Sequence, residues 1–176
     1  MCTDGFCPIG DTGTSFTISG AQMPQGGVAS PTGGGLLCIS GHVSQVPDGG
    51  AVTVYNEGEW GCGLGVYLDQ PDGGEPVPYQ LTGTGVTVNV INLPDCTSAR
   101  VMLTNQEGGT TGYCATLTPG VEMPWSAFVS PCGADPGVEP TALTGAPSVK
   151  ALEILFIPND TESCTFTDFC ITQVIL

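Results

Sequence analysis

Apolar residues in this chain come in short runs broken by glycine- and proline-bearing turns, and no window spaces them helically over three turns. That rhythm predicts strands. The runs fall at 15–19, 36–46, 51–55, 63–69, 85–91, 99–104, 112–117, 121–128, 150–157 and 166–175. Turn clusters such as Pro47-Asp48-Gly49-Gly50, Pro71-Asp72-Gly73-Gly74 and Glu107-Gly108-Gly109 separate them. The 27 Gly and 15 Pro would suggest disorder if the apolar residues were not grouped in this way. The expected fold is all-β: a two-sheet β-sandwich of jelly-roll type. At 176 residues and 40% apolar content the chain is sized for one core. It is read as a single domain over 1–176, with 1–14 as a cysteine-containing N-terminal arm.

Nine cysteines accompany only two Lys+Arg against 17 Asp+Glu, a formal net charge of −15. Cysteine-rich, acidic, glycine-rich chains suit oxidising compartments, so the expectation is a secreted or extracellular protein stabilised by disulfides. A charge this negative repels phosphate backbones and anionic headgroups, which disfavours nucleic acid and membrane surfaces as partners. No apolar run approaches the ~20 residues that span a bilayer. By spacing alone, Cys2 with Cys7 and Cys164 with Cys170 are near enough to close small loops. Nine is odd, so one thiol is free, pairs between molecules or lacks its partner. Asn159-Asp160-Thr161 is a glycosylation sequon if the source is eukaryotic.

Alternation assigns the faces of each strand. Leu64, Val66 and Leu68 share one face, sending Tyr67 and Asp69 to the other. Val86, Val88 and Val90 oppose Thr87, Asn89 and Ile91; Ala99, Val101 and Leu103 oppose Arg100, Met102 and Thr104; Leu37, Ile39 and Val43 oppose Ser40, His42 and Ser44. If these strands are neighbours in one sheet, its outer face carries Tyr67, Asp69, Thr87, Asn89, Arg100 and Met102, with His42 as a further candidate, a mixture that suits a carbohydrate. Sugars stack C–H faces on aromatic rings and offer hydroxyls to planar bidentate groups. The competing reading is a solvated sheet on which Arg100 only neutralises Asp69, a pairing worth little at a surface. Arg100 stands out as the single arginine. Trp60, in the glycine-bearing stretch Glu57-Gly58-Glu59-Trp60-Gly61, either presents its ring at the rim of a binding face or plugs the core end. Trp125, between Pro124 and Phe128, reads as structural. Tyr79 lies in an expected loop and is placed to cap a groove, and Tyr113 adjoins Cys114.

The segments Trp60-Gly61-Cys62-Gly63-Leu64-Gly65-Val66-Tyr67-Leu68-Asp69-Gln70, Gly85-Val86-Thr87-Val88-Asn89-Val90, Gly112-Tyr113-Cys114, Trp125-Ser126-Ala127-Phe128 and Phe166-Thr167-Asp168-Phe169-Cys170-Ile171 follow one another in this order. In this the chain resembles the carbohydrate-binding modules with the galactose-binding-like jelly roll, which are appended to bacterial secreted glycoside hydrolases and cell-surface proteins. The likeness covers roughly Leu36 to Ile175. It implies a sandwich whose concave sheet binds a polysaccharide chain or an end sugar, and a structural calcium at the edge. Asp168 matches the position that often supplies a carboxylate to that calcium, with Asp4 and Asp11 as weaker candidates. The resemblance also lays the first core strand beside the last, which favours Cys38 with Cys170. Cys114 with Cys132 is the next pairing proposed.

Catalysis has a thin basis. His42 is the one histidine, and no Gly-x-Ser-x-Gly nucleophile motif accompanies it. Most carboxylates fall in turns, where they act as turn formers and solubilisers. Zinc lacks both a Cys-x-x-Cys pair and a second histidine. Three classes follow: a non-catalytic carbohydrate-binding module for a polysaccharide or glycan; alternatively, a structural surface or filament subunit that self-associates; and a small secreted hydrolase.

Overall fold

The computed structural model describes residues 15–19, 28–29, 37–43, 63–68, 77–95, 98–104, 112–132, 139–157 and 164–176. They form β1 (Ser15–Ser19), β2 (Val28–Ala29), β3 (Leu37–Val43), β4 (Gly63–Tyr67), β5 (Tyr79–Gln80), β6 (Gly85–Ile91), β7 (Ser98–Thr104), β8 (Tyr113–Thr116), β9 (Glu122–Pro124), β10 (Val129–Ser130), β11 (Thr141–Ala142), β12 (Ser148–Val149), β13 (Ala151–Ile157) and β14 (Cys164–Ile175). One six-stranded sheet, sheet A, runs β1-β3-β14-β6-β9, with β2 also on β14. The other, sheet B, runs β11-β10-β8-β7-β13-β4, and β12 and β5 make a two-stranded ribbon. The described strand pairs are antiparallel. The protein is thus a disulfide-stabilised all-β sandwich of jelly-roll type. The expected strand at 51–55 and the expected arm at 1–14, with Cys2 and Cys7, lie outside the described residues.

Both sheets turn their branched and aromatic residues onto a single core, in which Val86, Val88, Phe169, Ile171 and Val174 of sheet A meet Leu64, Val101, Leu152, Ile154 and Phe156 of sheet B. Phe156 bridges the layers: its ring lies 4.5 Å from Phe166 and, edge-on, 4.8 Å from Phe169. Strict alternation cannot put Phe166 and Phe169 on one face, since they are three residues apart. A register shift between them supplies the missing step, with Asp168 at φ 49° inside the irregularity. A second shift, between Ile171 and Gln173, lets Ile171 and Val174 share the core in the same way.

The run at 121–128 is not one strand. β9 ends at Pro124, a 3-10 turn occupies Trp125–Ala127, and β10 resumes at Val129. The cause is Trp125, whose ring is buried, with Nε1–H donating to the Gly83 carbonyl at 2.9 Å. Its backbone N–H meets the Thr84 carbonyl at 3.1 Å. Trp125 is structural, as its surroundings in the sequence suggested.

Cys38 and Cys170 face each other in register on β3 and β14 and are joined, with Cα atoms 4.0 Å apart. Cys114 and Cys132 are joined with Cα atoms 5.0 Å apart. The alternative closure of Cys164 on Cys170 is corrected. Both sit on the extended β14, where six residues span about 20 Å, far beyond the reach of a disulfide. Cys164 is disulfide-bonded as well, to a cysteine outside the described residues.

Gly85 shows how closely β6 and β9 approach. A Cβ there would stand 2.3 Å from the Met123 carbonyl oxygen and 2.8 Å from Pro124 Cα, so backbone would have to move. Gly85→Ala is expected to cost about 1–3 kcal/mol, whereas Gly145→Ala, with nothing within 4 Å, stays near wild type. Thermal unfolding of the two variants side by side checks this, and equal melting temperatures would refute the close approach.

Candidate ligand-binding cleft

The side chains expected to share one surface are divided between the two sheets. Arg100 and Tyr67 belong to β7 and β4 of sheet B, while Asn89 and His42 belong to β6 and β3 of sheet A. Even within sheet B, Tyr67 and Arg100 are apart. Tyr67 is in register with Ala151 and, across it, Thr104; Arg100 is in register with Leu155 and, across it, Gly63. They are therefore separated by about 13 Å along the strands and about 10 Å across them. The reason is β13, which inserts between β4 and β7.

Nor is the outer face of sheet B open. Met102 and Thr104, expected to point to solvent, are 3% and 1% exposed. Met102 packs with Cys114, Cys132 and Leu155. Glu153, in register with Met102, is buried too. Of the outward set on β7, only Arg100 is half-exposed. Its guanidinium donates to the Cys132 carbonyl. Cys132 is tied to Cys114, and Cys114 is in turn in register with Met102, two residues along β7 from Arg100. The arginine is thus held by a carbonyl that is itself anchored to the neighbouring strand.

Beside it opens a cleft of about 240 Å³, whose walls include Arg100, Thr116, Val129, Pro131 and Pro140, with the Cys114–Cys132 disulfide also lining it. Ala127 completes one wall and is carried by the turn that Trp125 anchors. Thr116 lies opposite Arg100 in the β7–β8 ladder and is exposed, so a hydroxyl and a guanidinium sit side by side. The Pro131 ring also lines the cleft. Among the described lining residues, the chemistry offered is a cation fixed by a backbone carbonyl, a hydroxyl and apolar ring and methyl surfaces. Sequence reasoning picked out Arg100 and the disulfide but missed Thr116, Val129, Pro131 and Pro140, because β10, which pairs with β8 through Val129 and Cys114, is only two residues long and leaves no periodic signal.

The other expected ligand residues sit elsewhere. Asn89 donates Nδ2–H to Gln173 Oε1 at 3.0 Å on sheet A, on the far side of the sandwich from Arg100. Tyr79 is not in a loop but in β5, paired with β12, and is half-buried against the core. Tyr113 is in register with Leu103 on the inner side and likewise packs on the core. Trp60 and Asp69 lie outside the described residues. His42 occupies a register position between Ser15 and Thr165.

Asp168, the carboxylate that the family likeness implies for calcium, sits in the bulge of β14. Its peptide N–H donates to Ser40 Oγ at 2.9 Å, and its carbonyl accepts Asn92 Nδ2–H at 2.9 Å. The Ser40 hydroxyl approaches the Asp168 carboxylate at 3.4 Å. Among the described residues no group of three or more His, Cys, Asp or Glu forms that could hold a metal. An aspartate tolerates the left-handed backbone of the bulge, which accounts for its presence there. Asp4 and Asp11 lie outside the described residues. Among the described residues no helix is long and apolar enough to cross a membrane. No protein-family model matches the chain, and no curated protein matches it in sequence.

Proposed function

We propose that the protein is an extracellular, non-catalytic glycan-binding module, and that its binding site is the cleft beside Arg100 rather than a broad sheet face. The observation that carries this is the placement of Arg100: the sole arginine is half-exposed, oriented by the Cys132 carbonyl, and part of a walled cleft. Valine and proline surfaces suit the C–H face of a sugar ring, while the guanidinium and the Thr116 hydroxyl suit its oxygens. Disulfides at the cleft and across β3 and β14 support an oxidising location. The family likeness supports a sugar as ligand.

A panel of immobilised polysaccharides and glycans, probed with the oxidised protein and with Arg100→Gln, tests the reading. Hydrogen bonds to a charged group contribute about 1.5–3 kcal/mol, so the variant is expected to bind at least about tenfold more weakly. Circular dichroism establishes that the variant is folded. Unchanged binding by folded Arg100→Gln would remove the cleft from the function. Concentration-dependent self-association with no glycan bound would favour a structural subunit instead.

A further inference from the structure

We infer that the Cys38–Cys170 bridge is an extension stop: tension along the chain crosses from β3 to β14 through the disulfide, and the span between these cysteines cannot be drawn out while the bridge holds. The inference is independent of what the cleft binds. Connectivity is its first ground. The bridge closes a sequence separation of 132 within 176 residues, so only the chain before Cys38 and after Cys170 lengthens when the two ends are pulled. Strands β4 to β13, which include the whole of sheet B, lie inside the closed span. The described walls of the cleft, from Arg100 to Pro140, lie inside it too.

Strand placement is the second ground. β3 is antiparallel to both β1 and β14, so β1 and β14 run in the same direction on either side of it. Ser15 is level with His42 and Thr165, near the start of β14, while β14 runs on to Ile175, level with Thr87 of β6. The N-terminal end of β1 and the C-terminal end of β14 therefore lie toward opposite ends of sheet A, and tension between them runs along the strands. Ladder hydrogen bonds stand perpendicular to the strands, so such a pull shears many of them together instead of opening them one at a time.

The bridge sits where this tension has to pass. Ser19, the last residue of β1, is level with Cys38, and Cys38 is level with Cys170. Force handed from β1 to β3 thus meets a covalent link to β14 and does not rely on the β3–β14 ladder alone. Cys170 is buried, which shelters the link from dissolved thiols. At ~3.4 Å per extended residue, the roughly 44 residues outside the bridge give about 15 nm, against about 60 nm for the whole chain. A further bridge from Cys2 or Cys7 can only shorten the first figure.

Single-molecule stretching of the oxidised protein, held through peptide tags at its two ends, tests the assignment. Without reductant, the contour length between the ends is expected to stop at or below about 15 nm. Cys114→Ala with Cys132→Ala should leave that limit unchanged, because this bridge lies inside the closed span. Cys38→Ala with Cys170→Ala should raise it by up to about 45 nm, less the length retained by the bridge at Cys164. This length is read whether or not the double variant folds. Extension of the wild type well beyond about 15 nm, or the same limit in wild type and the Cys38/Cys170 variant, would overturn the inference.

Discussion

Removing the Cys38–Cys170 bridge by paired alanine substitution is expected to cost this protein on the order of 5 kcal/mol, the chain-entropy value for a loop closed across a sequence separation of 132. Paired alanines at Cys114 and Cys132, with a separation of 18, should cost about 3 kcal/mol by the same relation. For a domain of this size, each kcal/mol lowers the melting temperature by about 2–4 °C. The longer bridge should therefore account for roughly 10–20 °C. Urea unfolding without reductant compares the two double variants directly. If the Cys38/Cys170 pair proves no more damaging than the Cys114/Cys132 pair, loop closure is not what this bridge supplies.

Phe156→Ala is expected to be the most damaging single core substitution, at about 3–5 kcal/mol. Phe156 is 1% exposed and holds Phe166 and Phe169 of the opposing sheet at 4.5 and 4.8 Å. Truncation removes two aromatic contacts between the layers and leaves a cavity that the stiff β13 ladder cannot close. Phe156→Leu refills most of the volume and should recover more than half of the loss. Equilibrium denaturation of both variants checks the order; a Phe156→Ala protein within 1 kcal/mol of wild type would mean that the sheets are not held together at this point.

Faces of individual strands were legible in the sequence, whereas the order of strands was not. Alternation put Val86 and Val88, and Ala99, Val101 and Leu103, on the inner side, where they are buried. Combining those strands into one surface failed because pairing depends on long-range contacts that periodicity does not encode. β13 separates β4 from β7, and β6 belongs to the other sheet. Two-residue strands such as β5 and β12 are too short to show any period. The bulge at Asp168 was hidden for a related reason: two phenylalanines three residues apart look irregular until an extra residue is allowed for. Arg100 could be found because arginine is so rare here, but its walls could not, since Pro131 and Pro140 read only as turn formers.

The position of β14 bears on how the molecule comes into being. This strand follows all the other described strands in the chain, yet it lies inside sheet A, pairing β3 on one side and β6 on the other. During synthesis sheet A thus keeps a gap at its centre until β14 emerges. Sheet B has no such dependence on β14, and Cys114 and Cys132 are available to each other well before Cys170 appears. The local bridge is therefore expected to close before the long one, and the unfilled seam between β3 and β6 is the stage at which the nascent chain is most open to pairing with another chain.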